Sequence, residues 1–220
     1  MIVVDEVASG DAASFHGREM PTEPAPHLWW FHPERRAVVL GSTQDSSVLD
    51  LDACRRHGLD VVARRSGGGV VVVGQELNLW LDVLVPRGHH RWDDDVARAS
   101  WWIGDVWARV LESHGVRETI VHRDAMVTSP LARLVCFAGR GPGEVFVGPS
   151  KAVGISQRRT RDWARFQCAL SLRWDAELHA EIVKDPSVTA HELRACGLTV
   201  SLDVERLAVD LGEEFRTELS

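Results

Sequence analysis

The sequence contains no tyrosine, and of its 25 basic residues only two, Lys151 and Lys184, are lysine. Without tyrosine, nine tryptophans and six phenylalanines are the large aromatics, expected mostly in the core. Arginine supplies nearly every surface cation, so a surviving lysine raises the question whether a compact primary ammonium is required there. Cysteine is sparse as well: Cys54, Cys136, Cys168 and Cys196 form no C-x-x-C pair, and their spacing suggests no zinc cage, so no metal site is expected. No stretch approaches the ~20 apolar residues that span a bilayer. The opening MIVVDEVASGD lacks the basic start and long apolar run of a signal peptide. A cytoplasmic protein with reduced thiols is expected. The net charge of -7 argues against general nucleic-acid binding, because the phosphate backbone would repel it.

What is present fits an ordinary globular protein: 220 residues, 45% hydrophobic and 26% charged. GREMPTEPAP (17–26) reads as a loop. HLWWF (27–31) and RAVVLG (36–41) predict a hairpin. LDLDACRRHG (49–58) predicts a short helix, acidic at its start, basic at its end and stopped by Gly58. DVVAR (60–64), GVVVVG (69–74) and LNLWLDVLV (77–85) suggest an antiparallel meander. WDDDVARASWWIGDVWARVLESHG (92–115) carries an apolar stripe of Val96, Ala99, Ile103, Val106, Trp107 and Val110 at helical spacing. Further strands are expected at 119–122, 132–138, 144–148, 151–156 and 165–173, and helices at 176–184, 189–196 and 203–216. Many strands with a few helices, not in strict alternation, predict a single α+β domain over 1–220, the C-terminal helices (176–216) packed on it.

The stretch ARRSGGGVVVV (63–73) raises the chemical question. Three glycines beside a strand cost backbone entropy, but successive N–H groups in such a turn can form an anion-binding nest. Arg64 and Arg65 would add charge-assisted hydrogen bonds. No Lys-Ser/Thr follows, so it is not a Walker A loop, and no helix follows, so it is not a dinucleotide fingerprint. The plain alternative is a loose hairpin flanked by solvated arginines. Lys151, after a Gly-Pro turn, could enter a pocket and meet a developing negative charge; position alone favours a surface lysine at a strand edge. Cys136 in LVCFAG is either a buried small hydrophobe or a thiolate in a positive field. Cys168 in RFQCALSL reads as buried. His89 and His90 read as a polar loop, and RRTRDWAR (158–165) as a basic, solvated turn.

Three segments in order, GSTQ (41–44), RRSGGGVVV (64–72) and EVFVGPSKAVGISQRR (144–159), resemble the catalytic domain of the lipoate–protein ligases and octanoyltransferases, related to biotin–protein ligase. The likeness covers residues ~10–175. It implies a mixed, mostly antiparallel sheet flanked by helices. Arg64 matches the second arginine of the family's R-R pair, with Ala63 at the first; Ser66, Gly67, Gly68 and Gly69 match its serine and glycines. Gln44 matches the glutamine of the first turn. Lys151 matches the catalytic lysine, and Gly154 and Gln157 positions after it. The resemblance assigns the glycine loop, with Arg64, Arg65, Ser66, Gln44, Gly154 and Gln157, to the acyl substrate.

The chain departs from the family at Val73-Gly74, where a His-Asp pair is usual, and at Cys168-Ala169, where His-Gly is usual. GQEL (74–77) and CFAG (136–139) resemble instead the cysteine-dependent octanoyltransferase branch. The resemblance thus implies attachment of lipoate or octanoate to a lysine of a lipoyl domain or glycine-cleavage H protein, through an acyl-adenylate with ATP and Mg2+. The alternatives are a transferase with Cys136 as nucleophile and an acyl thioester donor such as acyl carrier protein, or a non-catalytic acyl-binding homologue. Both enzymatic readings require the Lys151 ammonium and the 67–69 corner to converge on the two ends of one narrow acyl tunnel.

Overall fold

The computed structural model describes residues 2–220. In chain order the strands are β1 (Val4–Gly10), β2 (His27–Pro33), β3 (Ala37–Leu40), β4 (Asp60–Ala63), β5 (Val71–Val73), β6 (Asn78–Pro86), β7 (Thr119–Val121), β8 (Val145–Val147), β9 (Ser150–Arg159) and β10 (Trp163–Ser171). The helices are α1 (Ala12–Gly17), α2 (Leu51–Arg56), α3 (Trp101–Ser113), α4 (Pro130–Leu134), α5 (Ala176–Ile182), α6 (Ala190–Leu193) and α7 (Val204–Leu219).

Strand β6 shows how the layers arise. All nine of its residues are buried, so both faces must be covered. Leu79, Leu81, Val83 and Val85 pack with Ile103, Val106, Trp107 and Leu111 of α3 and with Leu207, Leu211 and Phe215 of α7. Alternate residues point the other way, and Trp80 and Leu84 pack with Trp29, Phe31, Ala37, Val39, Val71 and Val73. The second group belongs partly to another sheet. The large sheet has the order β1-β2-β6-β10-β9-β8-β7, antiparallel except for the β1–β2 pair. The small sheet has the order β4-β3-β5, with β3–β4 parallel. Its far face, with Val38, Leu40 and Val72, is covered by α2 and α5. The molecule is thus an α+β stack of helices, large mixed sheet, small sheet and helices.

Four expectations fail on this topology. β2 and β3 form no hairpin, because the two strands enter different sheets. The meander is also absent: β3 lies between β4 and β5, and the chain crosses to the large sheet at 74–77 before β6. Apolar runs buried on both faces do not reveal their partner. The 132–138 strand is instead α4 followed by one 3-10 turn at 136–138; Ser129 accepts from the Ala132 N–H and Pro130 opens the first turn. Val96 lies before the helix and is exposed, whereas the rest of its stripe is buried. The predicted helix of 49–58 forms as α2, with Gly58 at φ +64° ending it. β1 and α1 are not predicted from the sequence, and α1 flanks the site described next.

Candidate active site

The glycine run is a corner where three chain segments meet without side chains between them. A Cβ on Gly41 would lie 1.8 Å from the Gly68 carbonyl oxygen, and one on Gly69 would lie 2.6 Å from the Val135 nitrogen. Gly68 itself has φ +105°, where L side chains are strained. Because Gly69 is bare, residues 134–136 lie alongside Val70: the Val70 N–H donates to Leu134 O, and the Cys136 N–H to Val70 O. Gln44 braces the junction, accepting from the Gly41 N–H at 3.0 Å and donating to the Arg133 carbonyl at 3.0 Å.

Arg64 is folded into this corner and only 5% exposed. Its guanidinium donates to the carbonyls of Gly67 (2.8 Å) and Gly69 (3.0 Å). Among the described residues the N–H groups of Gly67, Gly68 and Gly69 have no protein partner. The turn is therefore ordered by the arginine, with the Gly67 and Gly69 carbonyls taken and the amide hydrogens free. The same guanidinium lies 3.8 Å from Cys136 Sγ.

Lys151 is no surface lysine. It is 1% exposed, and its Nζ donates to Cys136 O at 2.9 Å and to Glu144 Oε1 at 2.9 Å. Glu144, 4% exposed, also accepts from the Gly141 N–H at 2.6 Å. The ammonium sits near the rings of Phe137 and Phe146, at 5.4 and 5.8 Å. Lysine and glycine corner are joined through one residue: Lys151 holds the Cys136 carbonyl, and Arg64 stands beside its sulfur.

Beside this junction runs a narrow slot of about 60 Å³ between the two sheets. Cys136, Phe137, Glu144, Gly154 and Ser156 line one end, Gln167 and Ala169 of β10 the middle, and Trp80 and His16 the other. Three neighbouring strands, β9, β10 and β6, form its floor, which gives a length of about 10 Å at the usual strand spacing. The walls are mostly apolar, with Val71, Val73 and Arg64 from the small-sheet side.

Under its far end lies a buried polar group. Arg165 and Asp82 pair at 2.6 Å, 1% and 0% exposed. Burial raises the Asp82 carboxyl pKa, and Arg165 opposes that shift. Arg165 also donates to Phe15 O at 2.7 Å, tying α1 to the sheet. His16 is held neutral, with its pKa lowered to about 3, first by burial and then by Arg64 and Arg165.

Arg64, Ser66, Gly67, Gly68, Gly69 and Lys151 gather around the Cys136 junction, at one end of the slot rather than at its two ends as expected; of the predicted residues Arg64, Cys136 and Gly154 line the slot, whereas Ser66, Gly67, Gly68, Gly69 and Lys151 stand behind its wall. Ser66 reaches Ser156 Oγ at 3.1 Å. Arg65 lies apart, half exposed and paired with Glu19. Gln44 acts as a brace, and Gln157, whose buried amide has no partner, lies outside the slot lining. Burial pushes the Cys168 thiol far up, in line with its reading as a buried residue. His89 is not a solvated loop residue but is buried against the carbonyl of Leu219, at 3.1 Å. In the basic 158–165 stretch, Arg165 points into the core. The sequence reading missed Glu144, Asp82, Gln167 and His16. Of these only Glu144 had a signal, a lone acid heading an apolar strand seven residues before a rare lysine.

Slot, glycine corner and buried lysine on a mixed sheet define a ligand-binding enzyme fold. Residues 14–217 match the lipoyl protein ligase A/B catalytic domain, and the chain belongs to that family of enzymes. No curated protein sequence matches it. Among solved structures, a T. acidophilum protein with bound lipoic acid is similar with a TM-score of 0.73 at 16% identity, covering 99% of this chain and 85% of that one. A lipoate-protein ligase A bound with ATP is similar at TM-score 0.70 and 16% identity, with 99% and 84% covered. A bi-partite lipoate protein ligase, from a study with its E2 lipoyl domain in Thermoplasma acidophilum, gives 0.70 and 16%, with 99% and 82% covered. At that identity the likeness is one of fold. No helix of the described residues is long and apolar enough to cross a membrane.

Proposed function

We propose that residues 2–220 form one catalytic domain that attaches lipoate or octanoate to a lysine amine of a lipoyl domain or H protein through an acyl-adenylate. The observation that carries the reading is the corner of free N–H groups at 67–69, ordered by Arg64, whose side chain also lines the narrow slot. A carboxylate is a poor acyl donor. ATP supplies the leaving group: the carboxylate joins the α-phosphorus and pyrophosphate departs, and then the lysine amine takes the acyl carbon and AMP departs with the electron pair. The free N–H groups and Arg64 suit the anionic oxygens that these steps develop. To polarise the acyl carbonyl, the Lys151 ammonium, which donates to Glu144 and to the Cys136 carbonyl, would turn one N–H to the acyl oxygen. Among the described residues no cluster of three His, Cys, Asp or Glu is ready for a metal, so Mg2+ would enter with the phosphates.

A second reading has its own support: Cys136 lines the slot and its sulfur faces the Arg64 guanidinium at 3.8 Å. There the thiolate attacks an acyl thioester, such as that on acyl carrier protein, and the carrier thiol leaves; the acceptor amine then takes the acyl group from Cys136. Intact mass of an apo lipoyl domain separates the two. Lipoate plus ATP gives the acyl adduct in the first reading, and octanoyl carrier protein without ATP gives it in the second, with an acyl adduct on Cys136 that Cys136→Ala removes. No adduct from either donor refutes both and leaves the acyl-binding homologue.

A further inference from the structure

His16 lines the slot at the end away from Lys151, 7% exposed, its ring 4.7 Å from Trp80. Its Nε2 is buried without a hydrogen-bond partner, and among the described residues no other slot-lining residue has such an atom.

The surrounding network fixes which ring nitrogen carries the hydrogen. Asp82 Oδ1 accepts from Trp80 Nε1, and Oδ2 accepts from Arg165 Nε at 2.6 Å. The carboxylate therefore acts as an acceptor toward Gln167, whose amide nitrogen lies 3.4 Å away. That same nitrogen lies 3.2 Å from His16 Nδ1, while the Gln167 oxygen accepts from Ser66 at 3.5 Å. An amide nitrogen only donates, so Nδ1 accepts. In the neutral ring the hydrogen is then on Nε2, which stands as a donor with nothing to meet.

We propose that His16 Nε2–H selects acyl chains bearing a hydrogen-bond acceptor in their distal half, a disulfide sulfur or a carbonyl oxygen, over plain alkyl chains. This rests on the slot being the acyl site. A buried unpaired donor is costly, and a saturated tail leaves it unpaired, whereas a tail with an acceptor satisfies it. His16 is a specificity-determining residue in this account and takes no part in the transfer itself.

The test is calorimetric binding of lipoate, octanoate and 7-oxooctanoate to the intact chain and to His16→Phe, which keeps a flat ring against Trp80. The ketone matches octanoate in length and bulk, so it isolates the acceptor. Wild type should bind lipoate and the ketone more tightly than octanoate, the ketone by about tenfold, and the variant should lose the difference. Equal binding of the three in wild type, or a preference that persists in His16→Phe, overturns the inference and leaves the slot standing. Failure of all three to bind removes the slot reading and this inference with it. Independent of any variant, long-range proton–nitrogen NMR of the wild-type ring should show Nε2 protonated and Nδ1 bare; the opposite tautomer overturns the proposal.

Discussion

At the residue scale, Lys151 has two jobs that one substitution confounds. It neutralises Glu144 in the interior, and it anchors the carbonyl of Cys136. Removing it leaves a buried carboxylate without its counter-charge, so Lys151→Ala is expected to lose about 3–5 kcal/mol of stability in urea titrations. The same change should cut acyl transfer by about 10²–10³. Lys151→Met combined with Glu144→Gln should regain most of the stability but not the transfer rate. Wild-type turnover in that double variant would exclude the lysine from the chemistry. The rarity of lysine marked this residue in the sequence, but its burial was not visible there, because it depends on β8 and β9 pairing so that Glu144, just ahead of β8, meets it.

At the scale of elements, the three-segment corner separates glycines that look alike in sequence. Gly41 and Gly69 face backbone at distances no Cβ tolerates, whereas a Cβ on Gly67 meets nothing within 4 Å. Gly41→Ala and Gly69→Ala are therefore expected to lower the melting temperature, each by an amount corresponding to about 1–3 kcal/mol, and to weaken acyl binding. Gly67→Ala should fold as well as wild type; a loss equal to that of Gly69→Ala would show that the corner is packed differently. The apolar stripe made α3 readable, and glycines mark where α2 and α3 stop, Gly58 and Gly115, both at positive φ. Strand existence was largely readable too. Strand partnership was not: HLWWF and RAVVLG are adjacent in sequence yet lie in different sheets, and nothing in either run specifies its neighbour. The 132–138 segment misled because LARLVCF reads as a strand once Ser129-Pro130 is overlooked as a helix start.

At the scale of the whole molecule, two neutral histidines sit in the interior on opposite sides of the small sheet. His16 borders the slot, and its pKa is lowered to about 3. His179 of α5 donates from Nδ1 to Asp175 O at 2.7 Å and accepts the Val72 N–H at 3.3 Å; burial lowers its pKa to about 4. Both would take up a proton near pH 6.5 once unfolded. The unfolded chain thus binds more protons between those limits, and stability falls as pH drops below about 6.5. Urea midpoints from pH 7 to 4.5 should show a loss of about 1.4 kcal/mol per pH unit for each histidine, and His179→Gln should remove one share of that slope. A slope unchanged in the variant would place His179 in water. None of this was legible beforehand, since SFHGRE and AELHAE carry no mark of burial.

The bare seam between Gly41, Gly68 and Gly69 also limits how this enzyme can be re-engineered. Its clearance is set by main-chain atoms, so no choice of amino acid there can enlarge the cavity. Room for a longer or branched tail has to come from the opposite extremity, by trimming the Trp80 indole or thinning Val71 and Val73. Trimming the indole also removes the group that donates to Asp82. A redesign that gains length in this way gives up part of the network that orients the histidine reading the tail.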